Sequence, residues 1–94
     1  KRQVYNKIFE AVEKVPGASN PHRVRSRMIG NRYIITLDIE VNPHITITQA
    51  HEIAGAVEKS IEDSIDNVYD ILVHVEPAGE CQTDEKFGVN KGMV

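Results

Sequence analysis

The sequence predicts an α+β fold in two layers, in which two helices cover one face of a three-stranded mixed sheet and the element order is αββαβ. Two segments repeat apolar residues at helical spacing, and three segments alternate apolar and polar residues as strands do. A glycine, proline or asparagine turn signal ends each segment. With 94 residues, of which 40% are hydrophobic, the chain can form one small core.

The first helix is predicted over Arg2–Val15. Pro16-Gly17 ends it, because proline removes a backbone donor and glycine favours the reversal of the chain. The residues on its apolar face follow the helical repeat. They are Val4, Ile8, Ala11, Val12 and Val15, with Tyr5 and Phe9 at the edge.

A β-hairpin is predicted after the loop Ala18–Pro21. Its strands cover Arg23–Ile29 and Tyr33–Val41, and Gly30-Asn31 forms a tight turn between them. Alternation along the second strand separates a core side from an open side. The core side holds Tyr33, Ile35, Leu37, Ile39 and Val41, and the open side holds Ile34, Thr36, Asp38 and Glu40.

The second helix is predicted from a strong start signal. Thr46 and Gln49 have the spacing of a capping box, in which each side chain bonds the backbone amide of the other residue. An apolar stripe follows, and the helix is expected to end between Ser60 and Ile65. The stripe consists of Ile47, Ala50, Ile53, Ala54, Val57 and Ile61.

The last strand is predicted over Val68–Glu76, after a turn at Asp66-Asn67. A right-handed crossover through the second helix places it parallel to the second strand, with both helices on one face of the sheet. A half-open sheet in so small a domain indicates a partner surface. The open face is expected to carry Asp38, His74 and Glu76 and a basic stripe of Arg23, Arg25 and Arg27.

Composition excludes several classes of function. The net charge of −3 and the pI of about 5.8 give no electrostatic reason to expect nucleic acid as a partner. A single cysteine, Cys81, excludes an internal disulfide framework. We do not expect an enzyme, because the sequence has neither a nucleophile motif nor a glycine-rich phosphate loop. The folded domain is expected to cover residues 1–77, and the polar segment Ala78–Val94 is expected to be a disordered tail.

Histidines and acids on the open face indicate a metal site. His74-Val75-Glu76 is the sharpest signal, because residues i and i+2 of a strand point to the same side, so an imidazole and a carboxylate can share one cation. Histidine and carboxylate ligands without a thiolate suit zinc and similar divalent metals better than a soft metal.

Strand register leaves the grouping of the ligands open. A two-residue turn at Gly30-Asn31 places Arg23 opposite Asp38, and His22 then faces inward near His51. The candidates would then divide into His22 with His51, and Asp38 with His74 and Glu76. A bulge in the first strand would instead reunite them.

Several motifs together resemble the cytosolic C-terminal domain of the cation diffusion facilitator (cation efflux) transporters. The resemblance covers residues 4–77. The motifs are, in order, Pro16-Gly17-Ala18, Val24-Arg25-Ser26-Arg27, Gly30, Asp38-Ile39-Glu40-Val41, Asn42-Pro43, Thr46, Gln49-Ala50-His51-Glu52-Ile53, Val57-Glu58 and Val73-His74-Val75-Glu76-Pro77.

The resemblance implies a ferredoxin-like, metallochaperone-like fold and a homodimer at the cytoplasmic face of the membrane. It also implies that the domain binds zinc or a related divalent cation and regulates the transmembrane part of the transporter, which this chain does not contain. Matched one by one to the ligand positions of the family, the metal ligands are His22, Asp38, His51, His74 and Glu76.

Two other functions are compatible with this fold class. A small-molecule-binding regulatory module would carry a glycine-rich strand-to-helix loop, and Asn42-Pro43-His44 stands there instead. An RNA-binding sheet would carry exposed aromatic residues on its central strands, and only Tyr33 is present, on the predicted core side. The metal-binding regulatory domain is therefore the leading hypothesis.

Overall fold

Five elements follow one another in the predicted order αββαβ. The computed structural model describes residues 2–79. The elements are α1 (Arg2–Glu13), β1 (Ser19–Ile29), β2 (Arg32–Val41), α2 (Ile47–Ser64) and β3 (Val68–Pro77). Within the described residues, neither helix has the length and hydropathy needed to cross a bilayer.

The three strands form one sheet in the order β1-β2-β3. β1 pairs with β2 antiparallel, and β2 pairs with β3 parallel, so that the sheet is mixed as predicted. Because α2 connects two parallel strands, it must return across the sheet and pack on one of its faces.

The core lies between the central strand and the two helices. Ile35, Leu37 and Ile39 of β2 are 0–1% exposed and pack with residues of both helices, among them Ile8 and Ile61. The open-side residues Ile34, Thr36, Asp38 and Glu40 point away from this core, which confirms the predicted alternation. The two-layer fold class is therefore confirmed.

The first helix and its loop are tied to the second helix. α1 ends at Glu13 instead of Val15, because Lys14 and Val15 donate to carbonyls three residues back and tighten the last turn. In the loop, Gly17 has a φ of +92°, and a Cβ atom there would lie 2.8 Å from the Cδ1 atom of Ile53 on α2. Glycine at this position therefore lets the loop pack closely against α2.

The start of α2 confirms the capping box and corrects one core residue. The amide of Gln49 donates to Thr46 Oγ1 over 3.0 Å, and the amide of Thr46 donates to Gln49 Oε1 over 2.9 Å. Ile47, which we predicted in the apolar stripe, is 90% exposed. It is the first helical residue, and Ile45 of the preceding loop packs against the core there instead.

The first strand differs from the prediction. It begins at Ser19 and not at Arg23, because the segment expected as a loop pairs with β2 through two irregularities, on either side of His22. Asn20 and Arg23 have φ values of 48° and 50°, in the left-handed region. The two left-handed residues shift the register so that His22, and not Arg23, lies opposite Asp38. Arg25 lies opposite Thr36, as predicted.

The structure describes the first two residues of the predicted tail, Ala78 and Gly79. The amide of Ala78 donates to the carbonyl of Val41 over 2.8 Å, which closes the end of the β2–β3 pair. Residues 80–94, including Cys81, lie outside the described residues. The tail boundary after Pro77 therefore stays a prediction.

Candidate metal centre

Histidine and carboxylate side chains meet at one end of the open face of the sheet. Parallel pairing places Asp38 beside His74 and Glu40 beside Glu76, and the irregular β1 brings His22 opposite Asp38. The carboxyl ends of β2 and β3 lie together in a parallel pair, so both strands deliver their side chains to the same corner of the sheet.

His22 is the buried member of this cluster, with 2% of its surface exposed. Its Nδ1 atom lies 2.7 Å from the carbonyl oxygen of Asn20. A carbonyl can only accept, so Nδ1 carries the hydrogen, and in a neutral ring the lone pair is on Nε2. Nε2 faces the cluster, 3.0 Å from Glu76 Oε1 and 3.9 Å from Asp38 Oδ2.

His74 stands on the solvent side of the same cluster. Its Nδ1 atom lies 3.5 Å from Asp38 Oδ1 and 3.6 Å from Glu76 Oε2, and its side chain is 65% exposed. These separations are long for hydrogen bonds. They are close to the roughly 3.4 Å that separates two ligands of a tetrahedral zinc ion, each about 2.0–2.1 Å from the metal. The three side chains are therefore spaced to hold one cation.

Asp38 carries an unsatisfied oxygen. The residue is 8% exposed, and among the described residues its Oδ2 atom has no hydrogen-bond partner. The guanidinium of Arg23 lies nearby, but its Nη1 atom is 3.6 Å away, too far for a hydrogen bond. A buried carboxylate oxygen without a partner costs free energy, and a bound cation would remove that cost.

Two overlapping ligand groups can be defined in the described residues. One contains Asp38, His74 and Glu76, and the other contains His22, Glu40 and Glu76; in each group the ligand atoms lie within 4.8 Å of one another. Glu76 belongs to both, because its Oε1 atom faces His22 and its Oε2 atom faces His74. The structure therefore brings His22 together with Asp38, His74 and Glu76, which is the outcome that a bulge in the first strand allows.

Two residues differ from the sequence-based prediction of the ligands. Glu40 is not among the predicted ligands, although its spacing of two from Asp38 places it on the same side of β2, which is the signal that indicates it. His51 lies near the N-terminus of α2, where it is exposed, and it belongs to neither ligand group of a single protomer. The helices and the ligand groups lie on opposite faces of the sheet.

The sequence matches a known family over residues 1–78. The family is described as the cytoplasmic domain of cation efflux proteins, and its model carries a name that refers to a dimer. The chain belongs to this family of cation efflux proteins. It is thus the cytoplasmic domain of a cation efflux protein, as the sequence motifs indicated.

Two relatives support the same family assignment. The magnetosome protein MamM of Magnetospirillum gryphiswaldense is 36% identical over 73 residues, which cover 78% of this chain and 23% of MamM. The cation-efflux pump FieF of a Salmonella strain is 29% identical over 79 residues, which cover 84% of this chain and 26% of the pump. The chain therefore spans about a quarter of the length of these relatives.

Solved structures of related domains have the same fold. The metal-bound C-terminal domain of the CzcD transporter from Thermotoga maritima superposes with a TM-score of 0.80 and 38% identity, over 85% of this chain and 93% of that domain. A variant of the MamM C-terminal domain in its cadmium form gives a TM-score of 0.76 and 35% identity, over 80% of this chain and 94% of that one.

Proposed function

We propose that this domain binds zinc or a similar divalent transition metal and regulates the transmembrane part of a cation efflux transporter. The main support for this proposal is that imidazole and carboxylate atoms lie together at the spacing of metal ligands. They belong to His22, Asp38, His74 and Glu76, and Oδ2 of Asp38 has no hydrogen-bond partner among the described residues. The family assignment favours this function over the small-molecule-binding module.

Zinc is the proposed ion because of the donor set. Imidazole nitrogen with carboxylate oxygen suits borderline divalent metals, and the described ligand groups contain no thiolate. Structures of related domains in metal-bound forms, including a cadmium form of MamM, support binding of a divalent cation at this fold. The carboxylates at positions 38 and 76 make the donor set harder than an all-histidine site would be.

We propose that the domain acts as a homodimer whose two copies approach when metal binds. The open face carries the apolar side chain of Leu72, 65% exposed, beside the metal-binding corner. Ile29, 57% exposed, lies at the opposite end of the sheet. His51 is the fifth proposed ligand. Because it is exposed and belongs to neither ligand group of its own protomer, it would serve a metal held by a second copy.

Calorimetric titration with zinc tests the metal site. We expect the wild-type chain to bind zinc and His74→Ala to bind it at least tenfold more weakly, since a ligand is lost. His44→Ala is the matched control, because His44 lies exposed in the loop before α2 and belongs to neither ligand group. Equal zinc affinity for His74→Ala and His44→Ala would remove the proposed site.

A further inference from the structure

Glu40 is held in place by the irregular first strand. Its Oε2 atom accepts a hydrogen bond of 2.9 Å from the side-chain amide of Asn20, and its backbone carbonyl accepts one of 3.2 Å from the hydroxyl of Ser19. The carboxylate is partly buried beside Glu76, its neighbour in the parallel register. The carboxylate therefore has a defined hydrogen-bond partner on β1.

The position of Glu40 beside a second carboxylate favours the binding of a cation. Two carboxylates on neighbouring strands repel each other, and this juxtaposition is destabilising unless a positive group lies between them. Nε2 of His22, in a ring that is 2% exposed, lies 3.0 Å from Oε1 of Glu76. His22, Glu40 and Glu76 each offer one ligand atom, and these atoms lie within 4.8 Å of one another.

Asn20 contacts two of these three side chains. Its backbone carbonyl accepts the Nδ1 hydrogen of His22 over 2.7 Å, and its side-chain amide donates to Glu40. Its φ of 48° is a conformation that asparagine adopts more readily than most residues. One residue thus hydrogen-bonds both the His22 ring and the Glu40 carboxylate.

We propose that Glu40 is a metal ligand, completing with His22 and Glu76 a cation position next to the one formed by Asp38, His74 and Glu76, and that Asn20 is its positioning residue. This inference rests on the proposed function, since it adds a ligand to the same metal centre. Two carboxylates and one imidazole form a harder donor set than thiolate or all-imidazole sites. The position is suited to Zn²⁺ and comparable divalent cations and discriminates against soft monovalent ones.

Glu40→Gln tests the ligand directly, because it removes the charge and keeps the shape. We expect zinc affinity in calorimetry to fall about tenfold or more, the usual scale for losing a ligand or its support. Glu62→Gln, the same change at an exposed position of α2, should leave the affinity within about twofold. With Co²⁺ in place of zinc, the visible absorption spectrum should change in Glu40→Gln and not in Glu62→Gln.

The outcomes separate this inference from the proposed function. If Glu40→Gln and Glu62→Gln bind zinc equally and give the same Co²⁺ spectrum, while His74→Ala still weakens binding, then Glu40 is not a ligand and the metal centre stands without it. If the wild-type chain binds neither metal, the proposed function fails as well. Melting curves without metal establish that each variant folds.

Asn20→Gly tests the positioning role, since glycine permits the left-handed backbone and removes only the amide side chain. We expect zinc affinity to fall about tenfold, at the low end of the scale for a lost supporting contact. If Asn20 acts through Glu40, the double variant Asn20→Gly/Glu40→Gln should bind zinc no more weakly than Glu40→Gln alone. Full additivity of the two effects would contradict the positioning role.

Discussion

Asp38 combines two features that rarely occur together, burial and an unsatisfied carboxylate oxygen. Arg23 lies at the edge of the same cluster, with its Nη1 atom 3.6 Å from that oxygen. The guanidinium offsets part of the negative charge in the absence of metal. The same positive charge opposes a divalent ion, so that Arg23 should lower the metal affinity of the site.

Arg23→Gln should therefore bind zinc more tightly than wild type. We expect a gain of about two- to fivefold, because partly exposed ion pairs are worth up to roughly 1 kcal/mol. Arg27→Gln is the control, since Arg27 lies opposite Ile34, further along the same strand. Calorimetric titration of the three chains measures the effect, and an unchanged or weaker affinity in Arg23→Gln would show that the guanidinium does not compete.

His22→Ala should destabilise the metal-free domain. The buried ring leaves a cavity, and the carbonyl of Asn20 loses the hydrogen bond that Nδ1 donates to it. We expect the free energy of unfolding to fall by about 1–3 kcal/mol. Urea unfolding in the presence of a chelator measures it, with His44→Ala expected within about 0.5 kcal/mol of wild type. A His22→Ala chain as stable as wild type would mean that the ring contributes only through metal.

The candidate residues could be found from the sequence more easily than their grouping could. The spacing of His74 and Glu76, and the alternation that puts Asp38 on the open side, depend on the strand period alone. The position of His22 depends on the left-handed conformations of Asn20 and Arg23, which no hydrophobic pattern signals. The residue types that form the site can therefore be predicted from the sequence, but their grouping cannot, because it depends on irregular backbone in β1.

The individual elements were predicted well where local chemistry determines them. The capping box fixed the start of α2, and alternation fixed the sides of β2. Ile47 was wrongly placed in the core, because the helical repeat does not show where along its length a helix first reaches the sheet. The contact between the loop after α1 and α2 was likewise not visible in the sequence, although Gly17 marked a turn.

Gly17 and Gly55 form a matched pair for testing that contact. Gly17→Ala should lower the free energy of unfolding by about 1–3 kcal/mol, because the backbone is left-handed there and the new methyl group would meet Ile53. Gly55→Ala should raise it by about 0.5–1 kcal/mol, since alanine favours the helix interior and nothing lies within 4 Å of the added atom.

Urea unfolding of both variants in the presence of a chelator compares these effects. Equal changes in Gly17→Ala and Gly55→Ala would show that the loop yields to the methyl group at little cost. The close packing of the loop on α2 would then contribute little to the stability of the domain.

At the scale of the whole domain, the core between the helices and the sheet is built from apolar side chains and includes none of the proposed ligands. Metal binding should therefore add stability to a folded chain and not create the fold. The ligands come from all three strands, so that a cation would connect β1, β2 and β3 at one corner. Loss of the cation should weaken this corner first.

Zinc should raise the melting temperature of the domain. At a free zinc concentration of about 100 times Kd, ligand linkage adds roughly 2.7 kcal/mol. For a domain of this size each kcal/mol corresponds to roughly 4–8 °C. A chelator should reverse the shift, and His74→Ala should show a smaller one. A melting curve that zinc does not change in the wild-type chain would contradict metal binding to the folded state.

Asp38, Glu40 and Glu76 concentrate three carboxylates on one rim of the sheet. Two copies that face each other through these rims would repel electrostatically when no metal is bound. A divalent ion on each rim would neutralise most of the negative charge that causes the repulsion. The barrier to association would then be electrostatic and would fall with ionic strength as well as with metal. A high concentration of inert salt should therefore screen the same repulsion and favour association of the two copies with no metal bound.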